Sequence, residues 1–180
     1  FKTAYVIQDG DFVEGVGGGV CQVSSTLYNC ALLANLAITC VRAHSLPVSY
    51  VAPSFDAMVS SASDLRFVNT LCAPITLRMN ANGKYLRTEI YGIGKFDIKR
   101  RSMTLGSIPF EVEYRDDDTL EQGKELIDTY GKEGLRSQGW LDYYQNGKLA
   151  KSVLVSSENY APKKRIILKG TKTSPLTDAP

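Results

Sequence analysis

Histidine is nearly absent from this 180-residue chain, His44 being the only one. Chemistry that needs an unperturbed side chain titrating near neutral pH therefore has a single candidate. No apolar run reaches the roughly 18 residues of a membrane-spanning helix. The longest, residues 31–40, is broken by Asn35 and reads as the end of a buried helix. A net charge of +2 is too weak for a nucleic-acid footprint, so that partner class is set aside. Cysteine is sparse as well. Cys21, Cys30, Cys40 and Cys72 include no CxxC pair, which argues against structural zinc. Nothing in their spacing demands a disulfide, and Cys30 and Cys72 read as free, buried thiols. A signal peptide is missing too, and Phe1 is not a natural start. The chain reads as a fragment, with any membrane attachment left to an upstream region, and its compartment stays open.

What the chain does have is GVGGGVCQVSSTLYNCALLANLAI, a glycine run ending on Cys21 at the start of a helical pattern. At a first helical turn, exposed N–H groups and the helix dipole favour thiolate over thiol. The three glycines let a ligand or another backbone approach closely, with Gly18 and Gly19 as candidate contacts. They lack the GKS or GxGxxG context of a phosphate loop, and nothing else calls for a cofactor. Val23, Leu27, Cys30, Ala31 and Ala34 recur at helical steps and predict the apolar face. Ser24, Ser25 and Asn29 fall off that face.

A glycine-introduced thiol and a lone imidazole make a candidate nucleophile and base. A third group would fix the imidazole tautomer, and both Asp56 and Asp64 follow His44. Each has a plainer role available, Asp56 capping a turn and Asp64 starting a strand. Gln22, beside the thiol, is placed to donate to an oxyanion together with the Cys21 N–H. Ser24 is the other polar neighbour, with helix capping as its alternative. Tyr28, further along, either lines a groove or fills the core.

The two halves differ in pattern. The first reads as α+β, a helix packed on an antiparallel sheet, with strands at residues 48–51, 65–68, 75–79 and 85–91. Asn82-Gly83 predicts a two-residue hairpin. From Lys99 there is no helical period, and strands are expected at 110–114, 141–144, 152–155 and 165–168, with a hairpin at Asn146-Gly147. This half holds 14 of the 21 Lys and Arg, which predicts a thin core and an extended all-β unit. The expected organisation is 1–98, then 99–172, then a flexible tail at 173–180. Trp140, Tyr143 and Tyr144 form an aromatic cluster suited to stacking sugar rings or to covering a small sheet.

The first half resembles the VanW domain family, named for an accessory protein of vancomycin-resistance clusters. The resemblance runs through residues 16–24 (VGGGVCQVS), Thr26 to Asn29, His44 to Tyr50, Asp56-Ala57 and Asp64 to Phe67. The second half resembles the G-five domain through Gly123, Gly131, Gly134, Gly147 and Gly170, with the closing stretch Tyr160 to Thr171. Together these resemblances imply a Gram-positive envelope protein facing the cell wall, with peptidoglycan or another wall polymer as partner. The order Cys, His, acid also resembles transglutaminase-like and NlpC-type cysteine peptidases, an analogy of arrangement. It implies acyl transfer on a wall-peptide amide, with Cys21 attacking and His44 shuttling the proton. The alternatives are a non-catalytic wall-binding module, in which Cys21 merely shapes a pocket, and a structural stalk. Oligomeric state is not legible.

Overall fold

The computed structural model describes residues 3–8, 11–83 and 85–173, and the expected tail lies almost wholly outside them. Strands β1 (Thr3–Gln8) and β2 (Asp11–Val16) pair antiparallel and lead into the glycine turn. Gly17 and Gly19 adopt φ of 108° and 91°, backbone that a Cβ disfavours. Gly19 caps helix α1 (Val20–Leu33), with Val23 N–H donating to its carbonyl at 3.0 Å. Cys21 is thus the second residue of the helix.

Asn35 ends the helix rather than merely interrupting it. Its φ is 55°, and the N–H groups of Asn35 and Leu36 donate back to Leu32 and Ala31. That is a left-handed helix cap with two returning bonds. The chain then leaves as strand β3 (Ala37–Cys40), where the apolar run predicted helix.

β3 pairs with β4 (Arg66–Val68), and β5 (Thr76–Ala81) pairs with β6 (Leu86–Tyr91). The helix lies against β3, β6 and β7 (Asp97–Ile108). The helix thus packs on antiparallel strands as expected, though these form separate two-stranded ladders. Residues 48–51 are irregular, not a strand. Ala81 opposes Leu86, so Asn82-Gly83 belongs to a four-residue loop instead of a two-residue turn.

The predicted helix face is also corrected. Val23 is 40% exposed, whereas Ser24, Ser25 and Asn29 are buried beside Tyr28, Ala31 and Leu32. The reason is the irregular segment at residues 53–59, whose backbone groups lack a strand to pair with. Ser24 Oγ donates to the Ala57 carbonyl at 2.5 Å, and Ser25 Oγ accepts from Ala57 N–H at 2.9 Å. Asn29 Nδ2 donates to the Phe55 carbonyl at 2.7 Å. Polar helix residues thus replace a missing strand.

The second half continues through β8 (Val112–Glu121), β9 (Glu125–Thr129), β10 (Gly134–Gln145), β11 (Lys148–Tyr160) and β12 (Arg165–Lys172). One sheet has the order β11-β10-β7, all antiparallel. The other has the order β8-β12-β9, with β8 and β12 parallel. The Asn146-Gly147 hairpin forms as predicted, with both residues at positive φ and Gln145 opposite Lys148. Cys72 is exposed, contrary to the expected buried thiol, and Cys30 is half-buried near the Thr88 carbonyl. Among the described residues no helix is long and apolar enough to cross a membrane.

The two halves share one core. Tyr28 and Leu32 of α1 pack with Phe55, Ala57 and Leu141 of β10, with Ile98, Tyr143 and Val155 against them. Polar bonds stitch the same seam. Ser54 Oγ lies 2.6 Å from Ser137 Oγ, Ser102 Oγ donates to the Pro53 carbonyl at 2.8 Å, and Ala161 N–H donates to the Ser45 carbonyl at 2.8 Å. Gly139 is pressed on this seam, where an added Cβ would meet the Ser54 carbonyl oxygen at 2.8 Å. Replacing Gly139 with Ala should destabilise the whole chain by roughly 1–3 kcal/mol, since both halves must shift to admit it. Chemical denaturation would check this, and an unchanged midpoint would refute the shared-seam reading.

Candidate functional site

Three chain segments converge on one cluster. The helix start supplies Cys21, the loop after β3 supplies His44, and the irregular segment supplies Asp56. His44 and Asp56 are 7% and 3% exposed, while Cys21 is half-buried. Asp56 Oδ2 accepts from both the His44 backbone N–H and Nδ1, each at 2.7 Å. With Nδ1 so engaged, Nε2 is the nitrogen left for the thiol. Cys21 Sγ also lies 3.5 Å from the Val59 carbonyl oxygen.

The electrostatics follow from these bonds. The hydrogen bond with His44 holds the Cys21 thiol below its ordinary pKa, outweighing burial, which pushes the other way. Burial opposes a charged His44, but its bonds to Asp56 and Cys21 prevail and raise it to about 9. Burial likewise opposes the Asp56 carboxylate, which donors from His44 and Tyr160 nevertheless keep below the usual range. These opposed shifts both favour the thiolate–imidazolium pair over neutral thiol and imidazole.

Tyr160, at the end of β11, is the participant that sequence reasoning missed. It is 1% exposed, donates to Asp56 Oδ1 at 2.5 Å and accepts from Ser54 N–H at 2.7 Å. Ser54 itself sits at φ 67°, a left-handed conformation unusual for serine, and Tyr160 and Ser137 hold it there. Only its place in the closing G-five-like stretch marked Tyr160. Nothing in a separation of 104 residues signals contact with Asp56. Tyr50 was missed as well, and its ring stands edge-on to His44 at 6.4 Å.

The remaining candidates are placed elsewhere. Asp64 lies at the surface, bonded to Leu65 N–H and to Arg66 Nε at 2.9 Å each, and takes no part in the cluster. It lies two residues before β4, outside the strand, and Asp56 is the acid that His44 meets. Tyr28 fills the core at 2% exposure instead of lining a groove. Ser24 is buried in its bonds to Cys21 and Ala57 carbonyls, so it supports the loop from beneath. Gly18 and Gly19 form the turn before the thiol, and exposed Gln22 lines a cleft beside it. Trp140, Tyr143 and Tyr144 are half-buried, with Arg101, Lys151 and Lys99 respectively over one face of each ring. Tyr143 also packs on the shared core. Among the described residues no group of three or more His, Cys, Asp or Glu is placed to hold a metal ion.

Comparison with known proteins matches both halves. The family model described as "VanW like protein" matches residues 1–91, and that of the G5 domain matches residues 100–172. An uncharacterized protein of Bacillus subtilis (strain 168), YoaR, is 42% identical over 92 residues, 51% of this chain. The aligned region spans 30% of that relative's length. Among solved structures, the G5 domain of an IgA1 protease aligns with 44% of this chain and 96% of its own, at 27% identity and TM-score 0.31. The G5 domain of HP0197 aligns with 43% and 100%, at 28% identity and TM-score 0.25.

Two outcomes test this geometry. Alkylation of Cys21 against pH, followed by peptide mass spectrometry, should show a pKa below the ordinary thiol value of about 8.5. His44→Ala should raise it and Asp56→Asn should raise it less, while Asp64→Asn leaves it unchanged. An ordinary pKa in the unmodified protein would contradict the cluster. Tyr160→Phe strands the Ser54 N–H and one Asp56 oxygen. It should cost about 1–3 kcal/mol of stability and also raise the Cys21 pKa. Lost stability with an unmoved thiol pKa would make Tyr160 a packing residue only.

Proposed function

Because this chain belongs to the VanW-like family and carries a G5 domain behind it, we propose that it acts on the cell wall by cysteine-dependent acyl transfer. Both families are typical of cell-envelope or secreted proteins of Gram-positive bacteria, and G5 domains are binding modules. The observation that carries the reading is the Cys21–His44–Asp56 cluster at a helix start, with a half-buried thiol whose pKa the imidazole lowers.

The Cys21 thiolate attacks the carbonyl carbon of a wall-peptide amide, forming a C–S bond and an oxyanion. Gln22 and the Cys21 N–H at the helix start are the donors proposed for that oxyanion. The oxyanion collapses, the C–N bond breaks, and imidazolium His44 gives its proton to the leaving amine. Water, or a second amine, then attacks the thioester while His44 takes a proton from it, the C–S bond breaks to return the Cys21 thiolate, and the acyl group leaves as acid or new amide. Asp56 stays ionised throughout and orients the ring. Tyr160 orients Asp56, so the G5 domain completes the site besides serving as wall anchor.

The competing reading is a binding module without turnover, favoured by the G5 domain. The two separate on incubating the chain with a soluble muropeptide digest and following new amine and carboxylate ends by mass spectrometry. Cleavage or transfer should disappear in Cys21→Ala. Its rate should be bell-shaped in pH. The rise follows thiol deprotonation, below about 8.5, and the fall follows loss of the His44 proton near 9. Absence of any product, with tight retention on wall material, would favour the binding module.

A further inference from the structure

We propose that the cleft beside Cys21 is a subsite for a peptide carboxylate, with Arg100 as the group that recognises it. This names a substrate class for the site and rests on the acyl-transfer reading above.

The cleft, of about 540 Å³, is walled by α1, by the loop carrying Tyr50 and Phe55, by Tyr85 of the β5–β6 loop, and by β7. Two of its lining residues are neighbours of the reactive cluster. Gln22 follows the thiol in the chain, and Tyr50 stands edge-on to His44. At its far end Arg100 reaches in from the second half. The guanidinium lies 5.5 Å over the Phe55 ring and donates through Nη1 to Asn29 Oδ1.

That acceptor is neutral. Asn29 is held by its own Nδ2, which donates to the Ser25 and Phe55 carbonyls at 2.6 and 2.7 Å, so its oxygen has a fixed direction. No carboxylate among the described residues pairs with Arg100. The next arginine on the same strand is treated differently, since Arg101 forms a two-pronged bond with Asp142. Packing against Phe55 and Asn29 also costs the Arg100 guanidinium part of its hydration, lowering its pKa from the ordinary value. A positive charge that is positioned, partly desolvated and left without a counter-ion in a concave site is matched by a planar anion. A carboxylate fits the guanidinium fork, and the remaining N–H donors are available to it.

The helix supplies a ruler. Asn29 lies eight residues beyond Cys21, and at about 1.5 Å rise per residue the two are about 12 Å apart along the axis. An extended peptide covers about 3.3–3.6 Å per residue. The recognised carboxylate would therefore sit about three to four residues from the amide presented to Cys21. That suits short, acidic wall peptides.

The test uses the whole chain carrying Cys21→Ala, so that binding is read without turnover. The probes are N-acetyl-L-Ala-D-isoGln-L-Lys-D-Ala with its terminal carboxylate free, and the same peptide with that end amidated. Calorimetric titration should give at least tenfold tighter binding for the free carboxylate. Arg100→Gln should erase the difference by weakening only the free acid, and Arg100→Lys should retain part of it. Arg100 is solvent-accessible, and circular dichroism will report whether each variant stays folded. Equal affinities for the two peptides, no binding of either at millimolar concentration, or discrimination surviving Arg100→Gln each overturns the proposal. The acyl-transfer reading fails separately, by the thiol titration and the product assay. Carboxylate discrimination in a chain that makes no product would leave Arg100 as the anchor of a recognition pocket.

Discussion

The carboxylate of Asp56 is the constraint around which the rest is arranged. It is almost wholly removed from water, and an unpaired carboxylate there would cost several kcal/mol. Three donors prevent that: the His44 backbone N–H, its Nδ1, and the Tyr160 hydroxyl. Two come from the same residue of the first half, and the third comes from the end of a strand in the second. Satisfying one buried charge therefore fixes the orientation of the imidazole and ties two sequence units together.

The same economy explains the helix. A loop that must place Asp56 against His44 cannot also pair as a strand, so its carbonyl and N–H groups need other partners. Ser24, Ser25 and Asn29 supply them, which turns the polar side of α1 inward. The residues that a periodicity argument assigns to solvent are the ones that hold the loop. Asn29 then has an oxygen left to steady Arg100, linking loop support to the charge in the cleft.

The shared core changes what the second half is. Its sheets expose many large aliphatics, among them Leu105, Leu126 and Leu149, as its charge-rich sequence suggests. Its best-buried residues, Leu141, Ser137 and Tyr160, face the seam with the first half. In this arrangement the module is more than a spacer, because the loop bearing Asp56 is held from its side.

Much was legible in one dimension because the responsible physics is local. Glycines before Cys21 require a left-handed turn, a helix follows, and Asn146-Gly147 prefers the tight hairpin that it makes. Local order also singled out Cys21 and the lone His44. It was silent on the choice between Asp56 and Asp64, since both lie downstream of His44 and only chain reversal brings one of them to the ring. It was equally silent on Tyr160, whose contact with Asp56 closes a loop of about a hundred residues. Which carboxylate is buried, which helix face turns inward and which arginine lacks a counter-charge depend on burial and long-range partners. Those are properties of the folded chain and not of any segment of it.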